Sequence, residues 1–283
     1  MAIHPTAIVD SQAQIDPTVE IGPHAVIEGA VEIGANTRIY PNAYISGWTT
    51  IGQNCVIHPG AVIGHLPQDF HFEPCRSYCT IGDGTIVREF ASIHRGTQSE
   101  SSTVIGRDCF IMGYSHVGHN CVFGDGVKFY NMAAASGHVE VGPNAIVSGY
   151  TVIHQFVRIG SYCMIGGLSR IGMDVPHYFT CIRESECVGI NAIGMRRNGF
   201  ASDQIADAKQ AYRILYRSGT TFRKAIDELA GAVTTDVGLQ ILEFVQSESK
   251  RGFVGSPKGR PSYAGRPPEL PDEPPDANPP QDR

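Results

Sequence analysis

Histidines form the densest group of reactive side chains in this chain. Four of its 11 histidines lie close together in the sequence, at His116, His119, His138 and His154. An imidazole titrates near neutral pH, so it can act as a general base, and it is also a common metal ligand. The cluster is therefore open to three interpretations: solvated and inert residues, a zinc site, or a base that takes a proton from a hydroxyl group.

A regular spacing relates three of these histidines. Eighteen residues after His119 comes Gly137, which precedes His138, and the same step again leads to Gln155, which follows His154. If one coil of a solenoid spans this step, the three imidazoles lie on successive coils along one edge, about 4.8 Å apart per coil. The spacing therefore predicts a row of imidazoles wherever the chain coils with that period.

The chain from Ile3 to Ile171 does carry a matching period of six. Steps of six between these two residues give 29 positions, of which 26 are apolar and 23 are Ile or Val. Neither an α-helix nor a simple alternating strand has this period. A small or β-branched residue often stands four places after the aliphatic one, and Gly often follows it directly, where we expect it to permit a turn. Each hexad thus predicts a short strand and a corner, and such units bury their apolar face by stacking into a parallel solenoid.

Changes in this pattern divide the chain. The period fails near residues 65–80 and 94–103, which predicts two projecting loops, where function tends to be placed. Later the pattern becomes helical, with Ser202 as the expected N-cap of one helix and further helices near 221–231 and 235–249. Nine of the 18 prolines follow residue 252. We therefore expect a mainly β solenoid over 1–190, an α-helical domain over 191–251 and a disordered Pro-rich tail over 252–283.

The composition excludes several classes of protein. A net charge of −6 argues against a nucleic-acid-binding protein, which normally carries a basic surface. The sequence contains no run of 18 apolar residues, so no membrane span is predicted, and its N-terminus lacks the features of a signal peptide. We therefore expect a cytoplasmic protein in which the eight cysteines are reduced thiols.

The hexad pattern, aliphatic-Gly-any two-small-any one, resembles that of the bacterial hexapeptide-repeat acyltransferases. This resemblance implies a left-handed parallel β-helix with three hexads per coil, usually in a homotrimer. Longer strings are similar to those of the UDP-N-acetylglucosamine O-acyltransferase family: HVGHNC (116–121), VIHQFVRIG (152–160), IGGLSRIGMDVPHY (165–178) and AYRILYRSG (211–219). The resemblance implies transfer of a 3-hydroxyacyl chain from acyl carrier protein to the 3-position of UDP-N-acetylglucosamine, the first step of lipid A synthesis, without a cofactor or metal.

The same resemblance implies roles for individual residues. His119 matches the general base, and the backbone N–H of Gly137 matches the donor that stabilises the oxyanion. Gly167 matches the position where side-chain size limits acyl length, so glycine there predicts a long chain. The other matches to substrate-binding positions are Asp69, His71, His116, His138, His154, Gln155, Asn191 and Arg197. An acidic carrier protein also implies a basic docking patch, for which the candidates are Arg196, Arg197, Arg213, Arg217, Arg223 and Lys224.

The sequence departs from the family at several places and leaves alternatives open. His71 stands where the family has Lys, Asn120 where the best-known members have Asp, and Ile193 where some have Glu, and residues 183–187 replace a G-N-x-A string. These changes leave open an acceptor with an amine at its 3-position. A zinc enzyme like the γ-type carbonic anhydrases is a further alternative, although that family spaces its histidines as His-x-x-x-x-His. A solenoid without catalytic activity is the last.

Overall fold

Three parallel sheets make up most of the molecule, as described for residues 2–256 by a computed structural model. The chain visits the sheets in rotation, one strand at a time, so that Ile21 pairs with Ile39 and Ile27 with Ile45, each the equivalent residue three hexads later. Three hexads therefore complete one coil of a triangular β-helix, and the predicted fold is confirmed. The left-handed sense of the coil stays a prediction of the resemblance.

The strands are short, because each hexad supplies only one face of the triangle. Sheet A contains Ala2–Ile3, Glu20–Ile21, Arg38–Ile39, Val56–Ile57, Ile86–Val87, Phe110–Ile111, Lys128–Phe129, Ile146–Val147, Met164–Ile165, Phe179–Ile182 and Glu186–Ile190. Sheet B contains Ile8–Val9, Val26–Glu28, Tyr44–Ser46, Val62–His65, Ser92–His94, His116–Val117, Ala134–Ala135, Val152–Ile153 and Arg170–Ile171. Sheet C contains Gln14–Ile15, Glu32–Ile33, Trp48–Ile51, Tyr78–Ile81, Ser102–Ile105, Val122–Phe123, Glu140–Val141 and Arg158–Ile159. The turns between sheets form the A–B, B–C and C–A edges.

The core fills the inside of the triangle, as the hexad pattern predicts. The periodic aliphatic residues point inward, and Ile45 and Ile63 are fully buried. The small residues of the corners, such as Ala25 and Ala61, are buried beside them. In the first coil the inward residue Ile3 pairs on one side only, with Ile21, and is 38% exposed, whereas Ile21 is buried.

The glycine that follows many of the aliphatic residues has a different role from the one expected. Gly34 and Gly106 are absent from the residues with positive φ, whereas Asn36 and Asn54, at the true corner position, have φ values of 58° and 55°. A Cβ atom on Gly106 would lie 2.6 Å from the carbonyl carbon of Gly124 in the next coil. The glycine is therefore needed for the close approach of successive coils, and not for the turn.

Two loops leave the solenoid where the period fails, as predicted. Ile57 pairs with Val87, and Val87 with Ile111, so both of these coils are longer than three hexads. The first loop lies between His65 and Tyr78 and the second between His94 and Ser102, both where the B–C edge would otherwise run. The B–C edge therefore carries the longest segments that the repeat does not constrain.

Beyond the solenoid the described part of the chain, up to residue 256, forms a β-hairpin and then four helices. Phe179–Ile182 still pairs in parallel with the preceding coil, but Glu186–Ile190 turns back antiparallel to it. The helices are α1 (Ala192–Arg197), α2 (Ser202–Arg217), α3 (Phe222–Ala230) and α4 (Asp236–Gln246). Within residues 2–256 none of them combines the length and apolar character that a membrane-spanning helix needs.

Two expectations about the C-terminal part were wrong. Ser202 is not an N-cap but the first helical residue, because Ala201 holds the cap position and its N–H donates to Gln204 Oε1 at 2.8 Å. The tail does not begin at residue 252, because Val254 is buried and Phe253 and Gly255 form β-bridges with Asp174 and Glu186. The remainder of the predicted tail, residues 257–283, lies outside the described residues.

His177, at the C–A edge, is held in its neutral form by the fold. Its Nδ1 accepts a hydrogen bond of 2.8 Å from the Ser161 N–H, which requires an unprotonated nitrogen. Burial, and then the charge of Arg158, lower the pKa of His177 to about 4 from 6.5. Between these two pH values the unfolded state therefore binds a proton that the folded state does not, so the free energy of unfolding decreases as the pH falls.

Because of His177, we expect the folded protein to lose stability in acid. The loss of stability should amount to about 3 kcal/mol at pH 4. In His177→Gln, whose amide oxygen also accepts a hydrogen bond, denaturant unfolding followed from pH 7 to 4 should show a loss smaller by about that amount. An unchanged slope would contradict the assignment, and the exposed His24→Asn is the control.

Candidate active site

His119 lies at the B–C edge with only 8% of its surface exposed. Its Nδ1 is 2.9 Å from Asn120 Oδ1. That oxygen also accepts hydrogen bonds from the backbone N–H of Thr97, at 3.1 Å, and from the Thr97 hydroxyl, at 2.9 Å. A backbone N–H only donates, so the Asn120 atom must be the oxygen and His119 Nδ1 must carry the hydrogen. The neutral ring therefore presents a free lone pair at Nε2, as a general base requires.

Asn120 is itself fixed by the coil that carries it. Its N–H donates to Thr103 Oγ1 at 2.8 Å, and its φ of 59° lies in the left-handed region that Asn tolerates well. The sequence marked Asn120 only as a departure from Asp. In the structure its amide orients the His119 ring without placing a negative charge beside it.

Gly137 lies against the face of the His119 ring. A Cβ atom at this position would be 2.3 Å from His119 Cε1 and 2.4 Å from Nε2, so no side chain fits. Gly137 is buried, and its N–H donates to no acceptor within residues 2–256. An unpaired buried N–H is rare and costly in proteins. The residue that packs against the base therefore carries a backbone donor that the described part of the protein leaves unused.

Asp69, in the first loop, reaches over the same nitrogen. Its Oδ2 is 3.8 Å from His119 Nε2, which is too long for a direct hydrogen bond. Its Oδ1 accepts from the backbone N–H of His71 at 2.9 Å, which folds the loop into a tight turn. The His71 side chain is exposed and has no contact with His119 among the described residues. The loop thus places the Asp69 side chain beside the base, whereas His71 contributes only its backbone N–H to the turn.

The predicted row of imidazoles forms in part. The His119 and His138 rings are 5.2 Å apart, edge to face. The next ring in the row is Phe156, which stacks on His138 at 4.8 Å. His154 lies on the same edge but is exposed, with Nδ1 3.1 Å from the carbonyl oxygen of Gln155. Phe156 stands one full coil after His138, so the period that placed the histidines also carried the signal for this ring.

Neighbouring histidines are kept uncharged. His116 Nδ1 is 2.8 Å from Ser92 Oγ, and its ring meets that of His94 at 5.2 Å. Burial and the charge of His116 lower the pKa of His94 to about 4. Burial and the charge of His119 likewise lower the pKa values of His116 and His138. Burial thus shifts all three neighbouring rings toward their neutral form, which limits the repulsion that an imidazolium at His119 would meet.

Within residues 2–256, no three His, Cys, Asp or Glu side chains converge in a way that could hold a metal ion. The side chains around His119 form other contacts: His119 Nδ1–H donates to the Asn120 amide oxygen, and Asp69 Oδ1 accepts from the His71 N–H. The chemistry of these side chains fits proton transfer at Nε2 next to a hydrogen-bond donor for a negatively charged oxygen.

Comparison with known proteins gives a consistent result. Residues 174–254 match the model of the UDP-N-acetylglucosamine O-acyltransferase second domain, and residues 30–65 match that of the bacterial transferase hexapeptide. An acyl-[acyl-carrier-protein]–UDP-N-acetylglucosamine O-acyltransferase of Burkholderia lata is 46% identical over 259 residues, 89% of this chain and 98% of the relative. The Anaeromyxobacter enzyme of the same name is also 46% identical, over 90% of this chain and its full length. The chain belongs to the UDP-N-acetylglucosamine O-acyltransferase family.

Solved structures of this family have the same fold. The enzyme from Bacteroides fragilis superimposes with a TM-score of 0.86 at 37% identity, covering 89% of this chain and 99% of its own. That from Acinetobacter baumannii gives a TM-score of 0.84 at 38% identity, covering 90% and 100%. The sequence departures therefore do not alter the family fold.

The other positions matched to the UDP-N-acetylglucosamine O-acyltransferase family are not brought to His119 within one chain. Gly167 is exposed on the A–B edge, between Met164–Ile165 of sheet A and Arg170–Ile171 of sheet B. Asn191 lies by the C–A edge, where its Nδ2 donates to the Tyr162 carbonyl oxygen at 2.9 Å and its Oδ1 accepts from Gly194 N to cap α1. Arg197, at the end of α1, is exposed and forms no ion pair within residues 2–256. The predicted site residues thus lie at three different edges of the triangle.

Proposed function

We propose that this protein transfers a 3-hydroxyacyl chain from acyl carrier protein to the 3-hydroxyl group of UDP-N-acetylglucosamine, the first reaction of lipid A synthesis. The observation that carries the proposal is the geometry at His119. The free Nε2 lies against Gly137, whose N–H donates to no acceptor within residues 2–256, and 3.8 Å from a carboxylate oxygen of Asp69. This arrangement suits a hydroxyl group that loses its proton while it attacks a carbonyl carbon. Family membership favours acyl transfer over the zinc enzyme and the solenoid without activity.

The reaction follows from these groups. His119 Nε2 removes the proton of the sugar hydroxyl as its oxygen attacks the thioester carbon. The carbonyl oxygen becomes negative and accepts a hydrogen bond from the Gly137 N–H. Asn120 Oδ1 accepts from Nδ1–H and so stabilises the imidazolium in its working orientation. When the tetrahedral intermediate collapses, the carbon–sulfur bond breaks and the thiolate takes the proton back from Nε2.

The cysteines near the site support direct transfer without an acyl-enzyme. Cys121, two residues after the base, is fully buried, and its Sγ is directed to the Ser136 carbonyl oxygen at 3.1 Å. Burial raises the pKa of its thiol to about 12. A thiol in this state is a poor nucleophile at neutral pH.

We further propose a cytoplasmic homotrimer. Gly167 and Asn191 match substrate-binding positions, yet each lies on an edge other than that of His119. Copies packed around a threefold axis would bring the edges of one subunit next to the His119 edge of another, which would complete the site. Both proposed substrates are cytoplasmic compounds, which supports that location.

The test is mass spectrometry of the products formed from a mixture of 3-hydroxyacyl carrier proteins. UDP-N-acetylglucosamine and its 3-amino analogue are offered side by side. We expect an ester on the 3-hydroxyl group of the first. An amide formed only on the analogue would show that the acceptor is the amino sugar, and no product from either would overturn acyl transfer.

Replacing Gly167 by methionine should shorten the preferred acyl chain. A Cβ atom there meets only Gly149 O at 3.3 Å and Ser148 Cβ at 3.8 Å, so the variant can fold with its side chain pointing outward. If the acyl chain runs along this edge, the methionine blocks its distal carbons. The profile of kcat/KM against donor length should move to shorter chains, and an unchanged profile would exclude Gly167 as the limiting position.

A further inference from the structure

The segment after α4, residues 247–256, is held firmly against the solenoid. Its anchor is Asp174, which is fully buried and ion-paired with Arg158 at 2.7 Å. The Ser249 hydroxyl donates to Asp174 Oδ2 at 2.7 Å. The Asp174 N–H donates to the Gly252 carbonyl at 2.8 Å, and the Val254 N–H donates to the Asp174 carbonyl at 3.0 Å. These bonds on both sides of residue 250 fix the backbone from which its side chain projects.

Lys250 extends from this segment to the row of rings at the B–C edge. Its Nζ lies 4.6 Å from the centre of the Phe156 ring, whose stacking partner is His138. His138 in turn contacts His119. Three successive contacts of 5.2, 4.8 and 4.6 Å therefore connect the ring of the base to the ammonium group, which places both groups on the same edge.

The charge of Lys250 is not neutralised by a carboxylate of the described residues. Lys250 is exposed and forms no ion pair with any carboxylate of residues 2–256, although its charge contributes to lowering the pKa of His138. The adjacent Arg251 differs, because its Nε donates to the Gly172 carbonyl at 3.1 Å. Lys250, which points toward the B–C edge, is thus available for a ligand, whereas Arg251 is bound to the backbone.

We propose that Lys250 binds a phosphate group of one of the two substrates and so positions that substrate along the B–C edge. This rests on the proposed function, in which both substrates carry phosphate: the nucleotide sugar as a pyrophosphate, the acyl carrier protein as the phosphodiester of its pantetheine arm. Lysine is a common phosphate ligand that acts as a point charge. The Phe156 ring holds the ammonium group by one side at 4.6 Å, and the N–H groups that point away from the ring can donate to a phosphate oxygen.

The experiment compares Lys250→Met, which keeps the stem and removes the charge, with Lys250→Arg, which keeps a charge. Lys209→Met, an exposed lysine on α2, is the matched control. KM and kcat are measured for each substrate in the full-length protein. For Lys250→Met we expect KM to rise by about tenfold or more for the substrate whose phosphate is bound, with kcat nearly unchanged and recovery in Lys250→Arg. Acyl-phosphopantetheine and acyl-pantetheine, used as small donors, separate the sources, because only the first carries the phosphate.

Each outcome decides the proposal. A change limited to acyl-phosphopantetheine and the carrier protein assigns the phosphodiester, and a change limited to the sugar nucleotide assigns the pyrophosphate. Unchanged KM values, or a lower melting temperature alone, show a structural lysine and overturn the proposal. If the wild-type protein transfers no acyl group, that result refutes the proposed function but not the role of Lys250. Calorimetric binding of UDP and of 4′-phosphopantetheine to wild type and Lys250→Met then still tests Lys250.

Discussion

Replacement of His119 by alanine should lower kcat by roughly 10²–10⁴-fold, the usual contribution of a positioned general base. The lone pair at Nε2 is the group that removes the proton from the hydroxyl, and alanine has no substitute for it. KM for both substrates should change little, because His119 acts mainly in the transition state. The measurement is steady-state kinetics at pH 7–8 with both substrates varied.

Folding must be intact for that result to be informative. His119 is packed against Gly137 and Asn120 but lies outside the aliphatic core, so circular dichroism and subunit number should match those of wild type. His24→Asn removes an exposed imidazole from a corner where φ is 58°, a value that Asn accepts, and should leave the rate unchanged. A His119→Ala variant with more than a third of the wild-type kcat would refute the base assignment.

Adding one methyl group at Gly137 should be almost as damaging. The φ of Gly137 is not positive, so the backbone accepts alanine, and the N–H remains in place. The new Cβ would nevertheless lie 2.3 Å from His119 Cε1, which forces the ring to move. We expect kcat to fall by roughly 10²–10³-fold, because the displaced base no longer reaches the sugar hydroxyl group while the N–H of residue 137 binds the carbonyl oxygen.

The control for Gly137→Ala is Gly189→Ala. Gly189 has no positive φ, and its Cβ would meet nothing within 4 Å. This variant should keep both its rate and its melting temperature. If Gly137→Ala keeps full activity, the contact between this glycine and the base has no catalytic role.

Periodicity explains why so much of the fold was predictable. A buried aliphatic residue every six positions predicts short strands, corners and a stacked solenoid. The family resemblance added three hexads per coil, and with an 18-residue coil the shared edge of His119 and His138 follows from their spacing. The features that the sequence did not predict are contacts made by segments outside the repeat. Thr97 lies in the second loop, and no spacing indicates that its N–H and hydroxyl fix the Asn120 amide.

The C-terminal errors have a similar origin. Proline content predicted a tail from residue 252, but Phe253 and Val254 precede the first of those prolines and are apolar enough to pack. Their attachment depends on Asp174, a single buried carboxylate that comes far earlier in the chain. Such a partner is visible only when the coil is folded.

The two ends of the solenoid are unequal, and this has a consequence for self-association. A stack of strands offers unpaired N–H and C=O groups at each end, and molecules open at both ends can join head to tail without limit. Among residues 2–256 the first coil is paired on one side only, with Ile3 38% exposed, whereas the last coil is covered by the hairpin, the helices and residues 247–256. One blocked terminus is enough to stop fibre growth, so an uncovered first coil can lead at most to a pair of molecules joined end to end.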